Sequence, residues 1–178
     1  MNMAKLKKTK QNIIKKAEEL GVEYEARYKG CGQCTFLAIV DALRWGEIEL
    51  IPEDMEERLY PAVSMLTAGV CMTGEGTCGA MALGLALGVS RDSADVAAAR
   101  YAAASIRDSL LEKCHREYRS ILCKDIQRKY FGKAWDLTDD EMAHEFLGLT
   151  RGCVIMQTAK WAVECILDEF EKGNVKGG

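Results

Sequence analysis

An all-α fold, built as a single-domain helical bundle of six to eight helices, is predicted by three features of this 178-residue chain. Ala, Leu, Met, Glu and Lys are abundant and only two prolines interrupt them, a composition that favours helix. Apolar residues recur at helical spacing, as Ile106, Leu110, Cys114 and Tyr118 do. No alternating segment is long enough to demand a sheet. With 48% apolar residues the chain can bury one core of its own, and neither a linker nor an internal repeat divides it. Residues 1–29 are expected to form an amphipathic helix belonging to the same domain, 30–172 its main body, and 173–178 a frayed tail.

Element by element, a first helix is expected from about Lys5 to Leu20, stopped by Gly21 as a left-handed cap. YKGCGQC then reads as a glycine-rich turn, and TFLAIVDALRW after Cys34 as a short buried helix closed by Gly46. Pro52 with EDMEERL starts another helix, proline in its first turn and acids at its positive end, continuing with a kink at Pro61 to about Thr67. A buried helix is expected at Ala80–Leu87. The longest helix opens at Asp92 or Ser93 and carries the Ile106–Tyr118 stripe. Ile121–Tyr130 forms a further helix ended by Gly132, and Thr138-Asp-Asp-Glu141 has the capping-box form that would start one reaching about Leu147. A last helix, from Gly152 or Cys153 to Lys172, should bury Ile155, Ala159, Ala162, Ile166 and Phe170.

A net charge of −3 gives no field to attract nucleic acid, and no basic nucleic-acid motif is present. Lys5, Lys7, Lys8, Lys10, Lys15 and Lys16 read as the solvated face of the first helix, with Leu6, Ile13, Ile14, Ala17 and Leu20 packed on the domain. No apolar signal region follows those lysines, and the longest apolar run, AMALGLALGV, is too short to span a bilayer. A cytoplasmic protein is therefore expected. Thiols there are kept reduced, so eight cysteines point to metal ligation or redox chemistry where they cluster.

Gly74-x-Gly76-x-x-Gly79 outlines a dinucleotide-binding loop, but no strand precedes it and Asp95, at the distance expected for a ribose-binding acid, falls at a helix start. No Gly-Lys-Ser/Thr follows, which excludes a P-loop. Cys31-Gly-Gln-Cys34 is a CxxC whose second sulfur lies at a helix start, where a thiol pKa falls, although the βαβ setting of thioredoxins is missing. Thr35 stands where a c-type haem motif needs histidine. More informative is the placement of four sulfurs. Cys34, Cys78, Cys123 and Cys153 each lie at a predicted helix N-terminus, where unpaired amides and the helix dipole favour a thiolate or an anionic cluster. Four such ends converging would make a site for an iron-sulfur cluster or for zinc. Their long spacings match no compact ferredoxin or zinc-finger motif. Cys114 and Cys165 fall on or beside apolar stripes and read as core residues, whereas Cys31 and Cys71 lie in glycine-containing turns close to proposed ligands. His144 reads as a surface residue, and no Ser/His/Asp set supports hydrolysis.

Taken together, GQCTFLAIVDAL, GEGTCGAMALG, ILCKDI before FG, and GCVIMQTAKWAVECIL resemble the C_GCAxxG_C_C family of redox-active proteins, over about Gly30 to Phe170. The family's four cysteines map onto Cys34, Cys78, Cys123 and Cys153. Related domains occur in split-Soret cytochromes with a [2Fe-2S] cluster; this chain lacks the CxxCH haem motifs, so the resemblance implies the cluster-type domain alone. One departure is that Leu83 stands where the family has glycine, Gly84 following it. The expectation is thus an electron-transfer or redox-sensing protein holding a [2Fe-2S] cluster on those four cysteines, with amides of Gly32, Gly76 and Gly79 near the sulfurs. Two alternatives stay open: a thiol-disulfide oxidoreductase using Cys31 and Cys34, with Cys71 and Cys78 as a second pair, and a structural zinc-binding helical domain. A redox partner protein and a homodimer are further expectations.

Overall fold

The computed structural model describes residues 7–82, 96–149 and 153–172; the side chains of 96–103 and of Cys153 also lie outside the described residues. The fold is all-α. Among the described residues seven helices run in order: α1 Lys10–Tyr28, α2 Cys31–Trp45, α3 Glu53–Ser64, α4 Val96–Tyr118, α5 Cys123–Phe131, α6 Asp140–Leu149 and α7 Cys153–Glu171, with one further helical turn at 79–82. Among the described residues there is no strand, only a single antiparallel bridge between Thr77 and Leu122.

The core lies where α1, α2 and α7 pack on one another, with α4 against α7, α3 against α2, and α5 against α4. Ile13, Ala17, Phe36, Ile39, Leu43, Ile106, Leu110, Val163 and Ile166 fill it. The predicted stripes hold: Ile106, Leu110, Cys114 and Tyr118 are buried on α4, as are Ile155, Ala159, Ala162, Ile166 and Phe170 on α7. Lys10 pairs with Asp168 and Glu171, Lys160 with Glu18 at 3.0 Å and Lys113 with Glu164 at 2.9 Å, orienting α7 against α1 and α4 while contributing little stability each.

The first helix starts at Lys10 behind a Thr9 cap and not near Lys5, and Lys7 and Lys8 precede it. Three further boundaries differ from expectation. Gly21 does not end the first helix, which runs on to Tyr28. A Cβ at Gly21 would lie 2.6 Å from Met156 Cα, so the glycine serves the close crossing of α1 and α7 rather than a turn. Secondly, α2 begins at Cys31, one turn before the expected start, with Gly30 as its N-cap. Thirdly, the cap of α6 is Asp139, whose carboxylate accepts from the Met142 amide at 2.9 Å; the Thr138 hydroxyl turns back to Asp136 at 2.6 Å. Elsewhere α3 carries Pro61 inside it, as expected, and Gly132 closes α5. The far end of the helix expected at Ala80–Leu87, the Asp92/Ser93 helix start, Gly152 and the tail 173–178 lie outside the described residues. No helix among the described residues is long and apolar enough to cross a membrane.

Candidate functional site

The helix boundary at Cys31 decides which sulfurs meet. Cys31 is the first residue of α2 and Cys123 the first of α5, so both sulfurs sit at positive helix ends. Cys78 immediately precedes the helical turn at 79–82. Its neighbourhood is tied to that of Cys123 by two main-chain hydrogen bonds flanking the Thr77–Leu122 bridge: Cys78 N–H donates to Ile121 O at 2.8 Å, and Cys123 N–H to Gly76 O at 3.0 Å. This short two-stranded contact brings together cysteines far apart in sequence.

Cys31, Cys78 and Cys123 line one cavity of about 90 Å³, walled by Met72, Ile126, Phe131, Phe146 and Ile155 among others, with Val154, the residue after Cys153, also in its lining. The Cys78 thiol hydrogen-bonds to the Cys31 sulfur, which with main-chain amides of Ala68, Ala80 and Gly79 favours the thiolate against the cost of burial and lowers the Cys31 pKa to about 7. The Ala68 amide donates to Cys31 Sγ at 3.3 Å. The same contact, followed by burial and the neighbouring Cys31 and Cys123 charges, pushes Cys78 well above the usual thiol range. Burial, then the charge of Cys31, raises Cys123 to about 11, opposed by a hydrogen bond from Gln127. The trio is thus asymmetric, with one sulfur prepared as thiolate and two held protonated.

Backbone shape makes this approach possible. A Cβ at Gly79 would stand 2.6 Å from Leu66 O and 3.0 Å from Cys31 Sγ, so a side chain there would expel either the carbonyl or the sulfur. Ala68, Gly69, Val70, Cys71 and Met72 all have positive φ, between 54° and 68°. Such a left-handed run costs about 1–2 kcal/mol for each non-glycine residue, and it holds the Ala68 amide against Cys31.

Cys34 stands apart. It is buried one turn into α2, does not line the cavity, and its single S–H is shared between Tyr24 O at 3.3 Å and Lys29 O at 3.2 Å, carbonyls at the end of α1. Burial, then the charges of Glu25 and Cys31, raises it to about 12. Of the four expected site cysteines, therefore, Cys78 and Cys123 come together, Cys34 faces α1, and the side chain of Cys153, the first residue of α7, lies outside the described residues. Cys31, expected in a turn, takes the place foreseen for Cys34; the signal was the CxxC itself, whose first sulfur lies at the true helix start.

The remaining cysteines behave simply. Cys114 and Cys165 are buried in the core, Cys114 Sγ lying 3.0 Å from Met81 Sδ, while Cys71 is exposed. His144 is exposed on α6. Cys31 does not pair with Cys34, nor Cys71 with Cys78: all four are free thiols, and the sulfur contact made is Cys31 with Cys78. Among the described residues no group of three or more Cys, His, Asp or Glu side chains stands in position to hold a metal ion. No protein-family model, curated protein or solved structure matches the chain.

Proposed function

We propose that this chain is a redox-active protein whose working groups are the thiols of Cys31, Cys78 and Cys123, and that these bind an iron-sulfur cluster of the [2Fe-2S] type for electron transfer or redox sensing, with Cys153 as the fourth ligand. The observation that carries the reading is the meeting of three sulfurs, each at or beside a helix start, on one apolar cavity. The donor set fits such a group by its chemistry: soft sulfur ligands, low surrounding polarity, and amides of Ala68, Gly79 and Ala80 directed at sulfur. Cys31, Cys78 and Cys123 would hold the cluster, whose bound chemistry is one-electron exchange. The chain itself supplies the dry wall of Phe131, Phe146 and Ile155, the amides that stabilise negative charge on Cys31, and the release of the thiol protons that ligation requires. In this reading Cys34 is a structural donor to the end of α1 rather than a ligand.

A second reading is favoured by one specific contact, the S–H···S hydrogen bond between Cys78 and Cys31. Two thiols so placed form a dithiol couple, with Cys31 attacking as thiolate and Cys78 completing a disulfide after exchange with a disulfide substrate, which leaves reduced. One experiment separates these readings and the zinc alternative: iron, zinc and acid-labile sulfide analysis, with a visible spectrum, of protein purified and reconstituted without oxygen. Iron and sulfide with visible absorption are expected. Neither iron nor sulfide, with a reversible Cys31–Cys78 disulfide found by peptide mapping, overturns the cluster in favour of the couple; stoichiometric zinc, with unfolding on chelation, favours the structural domain.

A further inference from the structure

Gln127 is a buried polar side chain on the cavity wall, one helical turn after Cys123. Its two ends do different things. Oε1 accepts the main-chain N–H of Trp135 at 2.9 Å, and Nε2 donates to Cys123 Sγ at 3.3 Å. The first bond fixes the second, because a backbone amide can only donate: Oε1 must face Trp135, and the NH₂ group is left to face sulfur. Trp135 is itself clamped, its ring 5.4 Å from those of Phe131 and Phe146. The carboxamide therefore cannot flip without leaving the buried Trp135 amide unpaired, a cost of about 1–3 kcal/mol.

We infer that Gln127 is a positioning residue for the redox centre, directing a fixed N–H···S hydrogen bond at Cys123 and thereby raising the electron affinity of whatever that sulfur ligates or becomes. The inference rests on the redox reading above for its effect on potential, but not for the hydrogen bond. A donor directed at sulfur stabilises the more negative, reduced state, so its removal should lower the reduction potential. An acceptor alone would satisfy Trp135; only an amide satisfies both Trp135 and the sulfur.

The test has two arms. In the apoprotein, the ¹H–¹⁵N resonances of the Gln127 side-chain amide are compared between wild type and Cys123→Ala. One Nε2 proton should shift and lose protection from exchange in the variant, and unchanged resonances overturn the inference. In reconstituted protein, Gln127→Met should lower the midpoint potential by about 59 mV, a tenfold change in the one-electron equilibrium. A variant that melts at lower temperature but keeps the wild-type potential assigns Gln127 only the support of Trp135, and overturns the inference. If wild type takes up no cluster, the cluster reading fails while the amide resonances still decide the hydrogen bond; if Gln127→Met does not fold, the same resonances decide.

Discussion

Cys31 and Cys34 lie one turn apart on a single helix, yet their surroundings are opposites. Around Cys31 everything donates: the Cys78 thiol and the amides of Ala68, Gly79 and Ala80. Around Cys34 the polar partners accept, the carbonyls of Tyr24 and Lys29. The same side chain is thus lowered to about 7 in one place and raised to about 12 in the other. What separates the two thiols is that Cys31 accepts hydrogen bonds, first from the Cys78 thiol and then from main-chain amides, whereas Cys34 is raised first by burial and then by the charges of Glu25 and Cys31.

The largest expected effect comes from closing the donor pocket. Gly79→Ala, which puts a methyl 2.6 Å from Leu66 O and 3.0 Å from Cys31 Sγ, should cost about 1–3 kcal/mol in urea unfolding and abolish cluster uptake. A variant that keeps both stability and cluster would break the proposed cradle. Gly21→Ala, a clash of the same kind with Met156, should cost a similar 1–3 kcal/mol while leaving the thiols of Cys31 and Cys78 in contact, so unfolding and thiol mapping together show whether the cavity depends on the α1–α7 crossing.

Smaller effects sharpen the contrast. Cys34→Ala should lose about 1–2 kcal/mol through its missing hydrogen bonds to the α1 carbonyls, without loss of the redox centre. In the apoprotein, iodoacetamide labelling followed by peptide mass spectrometry should show Cys31 modified with a midpoint near pH 7, while Cys34 stays protected as long as the fold persists. Cys34, Cys114 and Cys165 have folded-state pKa values of about 12, 12 and 11, above the ordinary 9.0. Their neutral burial contributes stability that is complete below pH 9 and lost as pH rises toward 12. Denaturant midpoints should accordingly fall with rising pH in that window, each such thiol costing about 1 kcal/mol over the first pH unit, and not across pH 6 to 8 on account of these groups.

Much of the fold is legible because α4 and α7 carry long stripes of period near four, and nothing in tertiary packing overrides them. Two of the differences lie at glycine. Gly21 and Gly32 were read as breaks on propensity, but both lie inside helices because another backbone comes too close for a Cβ: Met156 at Gly21, and Val63 O, 2.5 Å from the position a Cβ would take, at Gly32. That second reading displaces the start of α2 by one turn and so places Cys34 rather than Cys31 at its N-terminus. Cys123 and Cys153 are legible at or near helix starts because no glycine lies within the helices that follow them. The bridge that joins Cys78 to Cys123 involves only Thr77 and Leu122, too short to leave a pattern in sequence, and the Gln127–Trp135 hydrogen bond depends on a loop conformation that no periodicity encodes.

The claim that the redox centre is built on Cys31 and not on Cys34 is tested most directly by iron and acid-labile sulfide analysis of Cys31→Ser and Cys34→Ser, purified side by side without oxygen and normalised to wild type. The account predicts that Cys34→Ser retains wild-type iron and sulfide and that Cys31→Ser loses both. Loss in Cys34→Ser with retention in Cys31→Ser, or no iron and sulfide in wild type after reconstitution, would contradict it.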